Sequence, residues 1–318
     1  MLQQAYRYGT KLIATLKRYR GSLCIDRAEL GQTVFVAGSG RSGTTWLQEL
    51  INYDGTYRVL FEPFHAKKVD VVSHWKYRQY IQPDNIRTPF IEPARIILSG
   101  RIRDPWIDKF NRAFFPRKRI VKEIRTQLCL KWLSQQFPEI SLVYLLRHPC
   151  AVARSRLKLG WEACLDTFLS QPALRRDLLQ RFVKPIQAAR SAFERQIYMW
   201  CIENYVPLVQ LDEGDAFVVF YENLCQSPTQ QMQRVFTFID RRLTEDALHA
   251  HETPSSLTRE HSASPADENR IQAWREDVSE AQVQRAVEIL ERFGLDRLYD
   301  AALTPHLSGD EVLSQFAK

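Results

Sequence analysis

Hydrophobic positions in this chain gather into short runs separated by longer stretches with a helical repeat. The runs are Thr33–Ala37 (TVFVA), Tyr57–Phe61 (YRVLF), Ile120–Ile124 (IVKEI), Leu142–Leu146 (LVYLL) and Phe217–Phe220 (FVVF). Runs of this length, rich in β-branched and aromatic residues, predict buried strands. The intervening segments predict helices over Gly43–Asn52 and over Thr126–Phe137, where Pro138 ends the second. Another opens near Pro149 and another at Pro228, which is followed by Met232, Val235, Phe236 and Ile239 at helical spacing. Strands alternating with helices argue for a parallel sheet covered on both faces, an α/β fold in three α/β/α layers.

Three stretches depart from the alternation. Residues 2–20 read as a short basic amphipathic helix carrying Arg7, Lys11, Lys17, Arg18 and Arg20. Residues 63–116 are rich in Pro, Trp, Tyr and Arg without a clear period, and 159–211 read as mostly helical. With no linker or internal repeat, the chain is expected to be a single domain over 1–318. Within it, 1–32 hold the N-terminal basic helix, and 63–116 and 159–211 are insertions over a site.

Composition narrows the partners. The chain has 318 residues, 45% hydrophobic and 25% charged, which suits a globular protein. Its formal net charge of +7 favours an anionic partner. Basic residues are spread along helices and loops, and no nucleic-acid-binding module is evident. The six cysteines form no CxxC pair, so a zinc or redox motif is not indicated and no metal is expected. They read as reduced thiols of a cytoplasmic protein. No run is long enough for a membrane span, so any membrane contact is expected to be peripheral, through the N-terminal helix. Oligomeric state is not encoded legibly.

The most informative stretch is Ala37-Gly38-Ser39-Gly40-Arg41-Ser42-Gly43-Thr44-Thr45-Trp46-Leu47, a glycine-rich loop between a strand and a helix. Backbone N–H groups and the helix N-terminus of such a junction bind phosphate. Gly38 and Gly43 have the spacing of a nucleoside-triphosphatase loop, but Thr44 stands where that loop carries lysine. The cation is Arg41, inside the loop, which favours a single phosphate-like group over a magnesium triphosphate. A second candidate is Leu145 to Ser155, with Arg147 at a strand end, Pro149 two residues on and Ser155 eight residues on. An arginine fork and a hydroxyl two helical turns away can share one phosphate.

Together these motifs resemble the sulfotransferase superfamily that uses 3′-phosphoadenosine 5′-phosphosulfate (PAPS) and releases PAP. Arg41-Ser42-Gly43-Thr44-Thr45 resembles its 5′-phosphosulfate loop, in the form with arginine that tyrosylprotein and many carbohydrate sulfotransferases carry. Arg147 and Ser155 match its 3′-phosphate motif, with His148 in place of the usual Asp or Asn. Tyr221-Glu222-Asn223-Leu224 resembles a segment whose tyrosine lies near the nucleotide. Glu260 to Trp274 is similar to the region that closes over it, making Ser262, Ser264 and Arg270 candidates. The resemblance implies a P-loop-like α/β fold, donor contacts from Gly40 through Thr45, and sulfo transfer to a hydroxyl.

Glu62, at the end of YRVLF and before Pro63, is the expected general base, because ligands bind at the C-terminal ends of parallel strands. His65 is the rival base. Phe61-Glu62-Pro63-Phe64-His65 resembles the carbohydrate group. The basic residues Arg95, Arg101, Arg103, Arg112, Arg117, Lys118 and Arg119 suggest an anionic or sugar-rich acceptor, with Trp75, Tyr77 and Trp106 available to stack on sugar faces. A glycan, polysaccharide or glycolipid is therefore the expected acceptor. A tyrosine peptide or small metabolite is the alternative. Outside this class, the alternatives are a P-loop kinase and a non-catalytic protein binding nucleic acid or another anion.

Overall fold

A computed structural model of the chain describes residues 20–249 and 269–316. Five strands form one sheet: β1 (Thr33–Gly38), β2 (Arg58–Phe61), β3 (Arg119–Glu123), β4 (Ser141–Leu146) and β5 (Phe217–Phe220). Their order is β2-β3-β1-β4-β5, and every neighbouring pair is parallel. Each of the five expected strand runs is therefore present.

The main helices are α1 (Thr44–Ile51), α2 (Thr88–Leu98), α3 (Leu130–Gln136), α4 (Pro149–Lys158), α5 (Ala192–Leu208), α6 (Tyr221–Gln226), α7 (Pro228–Phe238), α8 (Glu280–Phe293) and α9 (Gly309–Phe316). Alternate residues of the strands supply two separate cores, as the period of two requires. Val34 and Val36 of β1, with Ile120, Val143, Leu145 and Val219, pack under α1 and α7 through Leu47, Leu50, Val235 and Phe236. Phe35 and Ala37, with Val121, Leu142, Tyr144 and Leu146, face the larger core around Trp132, Trp200 and Ile289. The three-layer α/β/α expectation is met.

The irregular stretch 63–116 contains a 3-10 turn at Asp70–Val72 and one α-helix, α2, whose Pro89 falls in its first turn. The stretch 159–211 contributes α5, which is buried along most of its length. Its start is fixed by a capping box between Ser191 and Glu194. The helix carries polar groups into the interior. Asn204 Nδ2 donates to Ser39 Oγ at 3.3 Å, and Trp200 Nε1 donates to the Arg147 carbonyl at 3.0 Å. Thus α5 braces the ends of both β1 and β4.

The opposite, N-terminal edge of the sheet is tied by ion pairs. Arg58 opens β2 and Arg119 opens β3. Both are fully buried, and both pair with Asp26. Arg58 also meets Asp108 at 2.8 Å. Removing one partner of such a buried pair typically costs about 3–5 kcal/mol.

Candidate active site

At the C-terminal edge, β1 turns into α1 through Ser39–Gly43. Gly43 has φ +103°, and a Cβ there would lie 2.6 Å from a Tyr221 ring carbon. Only glycine satisfies both the backbone angle and that approach. Arg41 has φ +77° despite carrying a side chain. A left-handed residue within such a loop lets successive N–H groups converge on an anion. The buried Ser42 Oγ and Trp46 Nε1 have no hydrogen-bond partner among the described residues.

Arg41 comes together with Arg147 and Ser155 of the β4–α4 segment, more than a hundred residues on. Arg41 Nε donates to Ser155 Oγ at 2.9 Å, and Arg147 Nη1 donates to the Arg41 carbonyl at 3.1 Å. The Arg147 guanidinium lies 4.0 Å from the centroid of the Tyr221 ring, and its buried Nε is unpartnered. Burial of Arg41, reinforced by the charges of Arg147 and Arg156, lowers its proton affinity. Among the described residues no carboxylate forms an ion pair with Arg41 or Arg147. Deeper in, Arg156 and Arg78 share Glu203, with Arg156 Nη2 2.7 Å from Glu203 Oε2. Arg156 Nε also donates to the Gly40 carbonyl at 3.0 Å, so this ion-paired cluster supports the loop from behind. The contrast is informative. The supporting arginines have their own carboxylate, whereas the two flanking the loop await an anion. Phosphate oxygens fit that donor set.

Tyr221 lies beneath Arg147 with its ring 5.6 Å from Trp46, edge to face. Burial pushes its hydroxyl to about 12, against the opposing influence of Arg147. Arg270 lies 5.7 Å from the Trp46 ring. Ser262 and Ser264 lie outside the described residues, as does the N-terminal stretch 1–19. His148 is buried. Its ring stacks on Trp274 at 4.5 Å, and its Nδ1 accepts from Cys150 N. Burial holds it near pKa 4. It therefore serves as the N-cap of α4.

Glu62 stands at the end of β2 with φ +47°. Its Oε1 meets Lys122 Nζ at 2.7 Å and its Oε2 meets Arg125 Nη1 at 2.6 Å. Burial acts to raise the carboxyl pKa, but Lys122 and Arg125 outweigh it and hold the group below the usual range. The end of β3 links this carboxylate to the glycine loop: Arg125 reaches Glu62, while a Cβ built at Gly40 would meet Ile124 Cδ1 at 3.3 Å. The intervening Glu123 is fully buried and accepts from Phe64 N at 2.9 Å and from Ile124 N at 2.9 Å, fixing both loops. His65 Nδ1 accepts from Lys67 N at 3.3 Å, and burial, aided by Arg125, lowers its pKa to about 4. With Nδ1 accepting, the neutral imidazole favours the tautomer with its hydrogen on Nε2.

Lys122 and Arg125 were missed by sequence reasoning. Their signal was a charged pair, Lys122-Glu123, within an otherwise apolar strand run. Trp161 was also missed. It approaches the loop from the far side, where a Cβ at Gly40 would meet its ring at 2.9 Å.

Two expectations about the acceptor side are corrected. Trp75 is a core residue, packed against Phe64, Phe90 and Trp132 with its Nε1 donating to the Pro89 carbonyl. Arg103, Lys118 and Arg119 do not face Glu62. Arg119 is buried at the start of β3, Lys118 Nζ donates to the Ile239 carbonyl, and Arg103 donates to the Gly100 and Cys24 carbonyls. They belong to the N-terminal edge because the chain enters β3 there. Beside Glu62 stand other cations, Lys67, Lys68 and Lys109, interleaved with Tyr77, Trp106 and Phe110. Lys109 Nζ lies 3.7 Å from the Phe61 ring centroid and 3.9 Å from that of Trp106, and Lys68 Nζ lies 5.7 Å from the latter.

Comparison with known proteins adds three findings. A family model described as the sulfotransferase domain matches residues 32–286. The mouse (Mus musculus) protein sulfotransferase 1B1 is 23% identical over 228 residues, covering 70% of this chain and 63% of that relative, under two thirds of its length. Among solved structures, the sulfotransferase domain from the curacin biosynthetic pathway aligns over 82% of this chain and 96% of its own, at 15% identity and a TM-score of 0.47. Mouse sulfotransferase SULT7A1, solved in complex with PAP, aligns over 86% and 87% at 14% identity and a TM-score of 0.43.

Proposed function

This chain belongs to the sulfotransferase domain family, matched over residues 32–286, and we propose that it transfers a sulfo group from PAPS to a hydroxyl of a carbohydrate. The observation that carries the reading is the pair Arg41 and Arg147, joined to Ser155 at a glycine loop and lacking a carboxylate among the described residues. Loop N–H groups from Gly40 to Thr45, with the Ser42 and Thr44 hydroxyls, hold the 5′-phosphosulfate. Arg147 and Ser155 hold the 3′-phosphate, with Tyr221, Trp46 and Arg270 alongside and Ser264 assigned to the closing segment. Bound PAPS supplies an electrophilic sulfur: the acceptor oxygen–sulfur bond forms, the sulfur–phosphate oxygen bond breaks, and PAP leaves with the electron pair.

The chain's own groups supply charge and a proton acceptor. Arg41 and Lys122 neutralise the charge that grows on the leaving phosphate. Glu62 takes the acceptor proton. Its lowered pKa keeps it ionised at neutral pH, and an anion bound beside Lys122 competes for that cation and raises the carboxylate's basicity. His65 is the weaker candidate, because its Nδ1 lone pair is already engaged. No metal is assigned a role in this scheme.

The surface beside Glu62 supports a carbohydrate acceptor, since aromatic faces alternating with lysines suit sugar rings that bear negative groups. The same aromatics also accommodate an aryl hydroxyl, so a tyrosine or small-metabolite acceptor is the second reading. The free thiols of all six cysteines suit the proposed cytoplasmic setting. The test is calorimetric titration with PAP, using ATP–Mg as control, followed by transfer assays on polysaccharide, tyrosine-peptide and phenol acceptors. PAP binding that weakens roughly ten- to hundredfold in Arg147→Ala is expected, with sulfation of the polysaccharide. Binding of ATP–Mg without PAP would replace the reading by a kinase, and transfer to the phenol alone would replace the acceptor class.

A further inference from the structure

At the edge of the sheet opposite the glycine loop, two chain segments lie side by side. Ile25 N donates to the Phe114 carbonyl at 2.8 Å, and Asn111 Nδ2 donates to the Gly21 carbonyl at 2.6 Å. This pairing holds four large apolar side chains outward: Leu23 is 65% exposed, Ile25 62%, Phe114 53% and Phe115 71%. The two phenylalanines pack edge to face, with centroids 4.7 Å apart. Folding does not require this exposure, since the same segments contribute Asn111 and Asp108 to the interior. Contiguous exposed apolar side chains mark an interaction surface.

The surroundings of the patch decide its partner. Arg20 and Arg27 flank Leu23 and Ile25 along the chain, Arg112 and Arg117 flank the phenylalanines, and all four are exposed. Arg103 Nη2 donates to the Cys24 carbonyl at 3.2 Å, between Leu23 and Ile25. Asp26 and Asp108, the carboxylates beneath, are committed to Arg58 and Arg119. Glu29, Glu139 and Asp240 are exposed carboxylates on this side, outnumbered by the arginines and Lys118. A second copy of the chain would bring these arginines face to face, so the charge opposes self-association. An apolar centre with a cationic rim instead complements an anionic lipid bilayer, where phenylalanine and aliphatic side chains enter the acyl boundary and arginines stay at the headgroups.

We propose that the surface formed by Leu23, Ile25, Phe114 and Phe115, ringed by arginines, docks the folded domain peripherally on an anionic membrane. It is a property of the folded domain, distinct from any contribution of the basic stretch 2–20 that precedes it. The sheet edges are separated by the strand length, roughly 20 Å for the six residues of β1 and about 13 Å for the four of β2. The glycine loop and Glu62 therefore face away from the bilayer, toward an acceptor presented from solution or on a headgroup that projects well above the surface.

The experiment is co-sedimentation of the full chain with vesicles of phosphatidylcholine alone or mixed with phosphatidylglycerol, across a salt series, for wild type, F114A/F115A and R112E/R117E. The expected result is salt-sensitive binding to the anionic vesicles only, reduced at least tenfold in each double variant. Calorimetric PAP binding should be unchanged in both, which separates this proposal from the sulfotransferase reading. Failure of wild type to bind anionic vesicles at low salt would overturn it. So would binding equal to wild type in both variants, which would assign the contact to the N-terminal stretch. A dimer abolished by F114A/F115A would make the patch a self-association surface instead.

Discussion

Arg41 and Glu62 both occupy left-handed backbone conformations that non-glycine residues seldom adopt, with φ +77° and +47°. Such outliers cost about 1–3 kcal/mol and persist where the surroundings impose them. Here the loops after β1 and β2 impose them and aim both side chains at the same edge. Glu62→Gln should lower turnover by about 100-fold or more, in the range of general base catalysis, with calorimetric PAP affinity retained. A near-normal rate would remove Glu62 from the role. Because Lys122 and Arg125 hold its folded pKa below the unfolded value of about 4.3, its pairing stabilises the protein fully above that pH. The contribution is lost as pH falls through the lower folded value. The urea midpoint difference between wild type and Glu62→Gln should therefore shrink on going from about pH 6 to pH 3. Arg147→Ala removes hydrogen bonds to a charged ligand worth about 1.5–3 kcal/mol, so PAP affinity should fall roughly ten- to hundredfold. An unchanged calorimetric Kd would place the 3′-phosphate elsewhere.

Among the elements, α5 does the most to fix the site while contributing no residue expected to touch the donor. Its Glu203 pairs with both Arg78 and Arg156, and Arg156 in turn holds the Gly40 carbonyl. Glu203→Ala leaves two buried cations uncompensated and should cost about 3–5 kcal/mol in urea unfolding. It should also weaken PAP binding, because the loop loses its support. A stable variant with normal PAP affinity would show that the cluster is dispensable to the loop. The periodicity of 192–208 gives a helix but not its place. A helix buried nearly all round has a weak amphipathic signature, so whether it covers a site or lies within the core is decided by the layers around it. Likewise β3 reads as a strand from its apolar ends, while the roles of Lys122 and Arg125 depend on β2 lying beside it.

For the whole molecule, the strand order β2-β3-β1-β4-β5 places β1 at the centre, with the loops after β1, β3 and β4 adjacent at one edge. An anion bound there contacts several segments distant in sequence, so binding should stabilise the entire fold. At a hundred times its Kd, PAP should add about 2.7 kcal/mol, read as a rise in Tm that Arg147→Ala cuts to the equivalent of about 0.4–1.4 kcal/mol at the same PAP concentration. A wild-type Tm indifferent to PAP would contradict the nucleotide site. The five strands, the glycine loop and the spacing of Arg147 and Ser155 across a strand end and a helix were legible in the sequence, because strand burial, tight turns and helical spacing depend on residues close together in the chain. The sequence also marked Glu62 as a strand-end carboxylate. It misplaced Trp75 and the basic residues Arg103, Lys118 and Arg119, since residue type says nothing about which edge of the sheet a connecting segment visits. The tertiary structure alone decided that Lys122 and Arg125 clasp Glu62, that Glu203 serves two arginines behind the loop, and that Leu23 and Ile25 meet Phe114 and Phe115. Each of these joins segments far apart in the chain, and charge pairing and side-by-side packing depend on distance in space, which only the folded arrangement of layers sets.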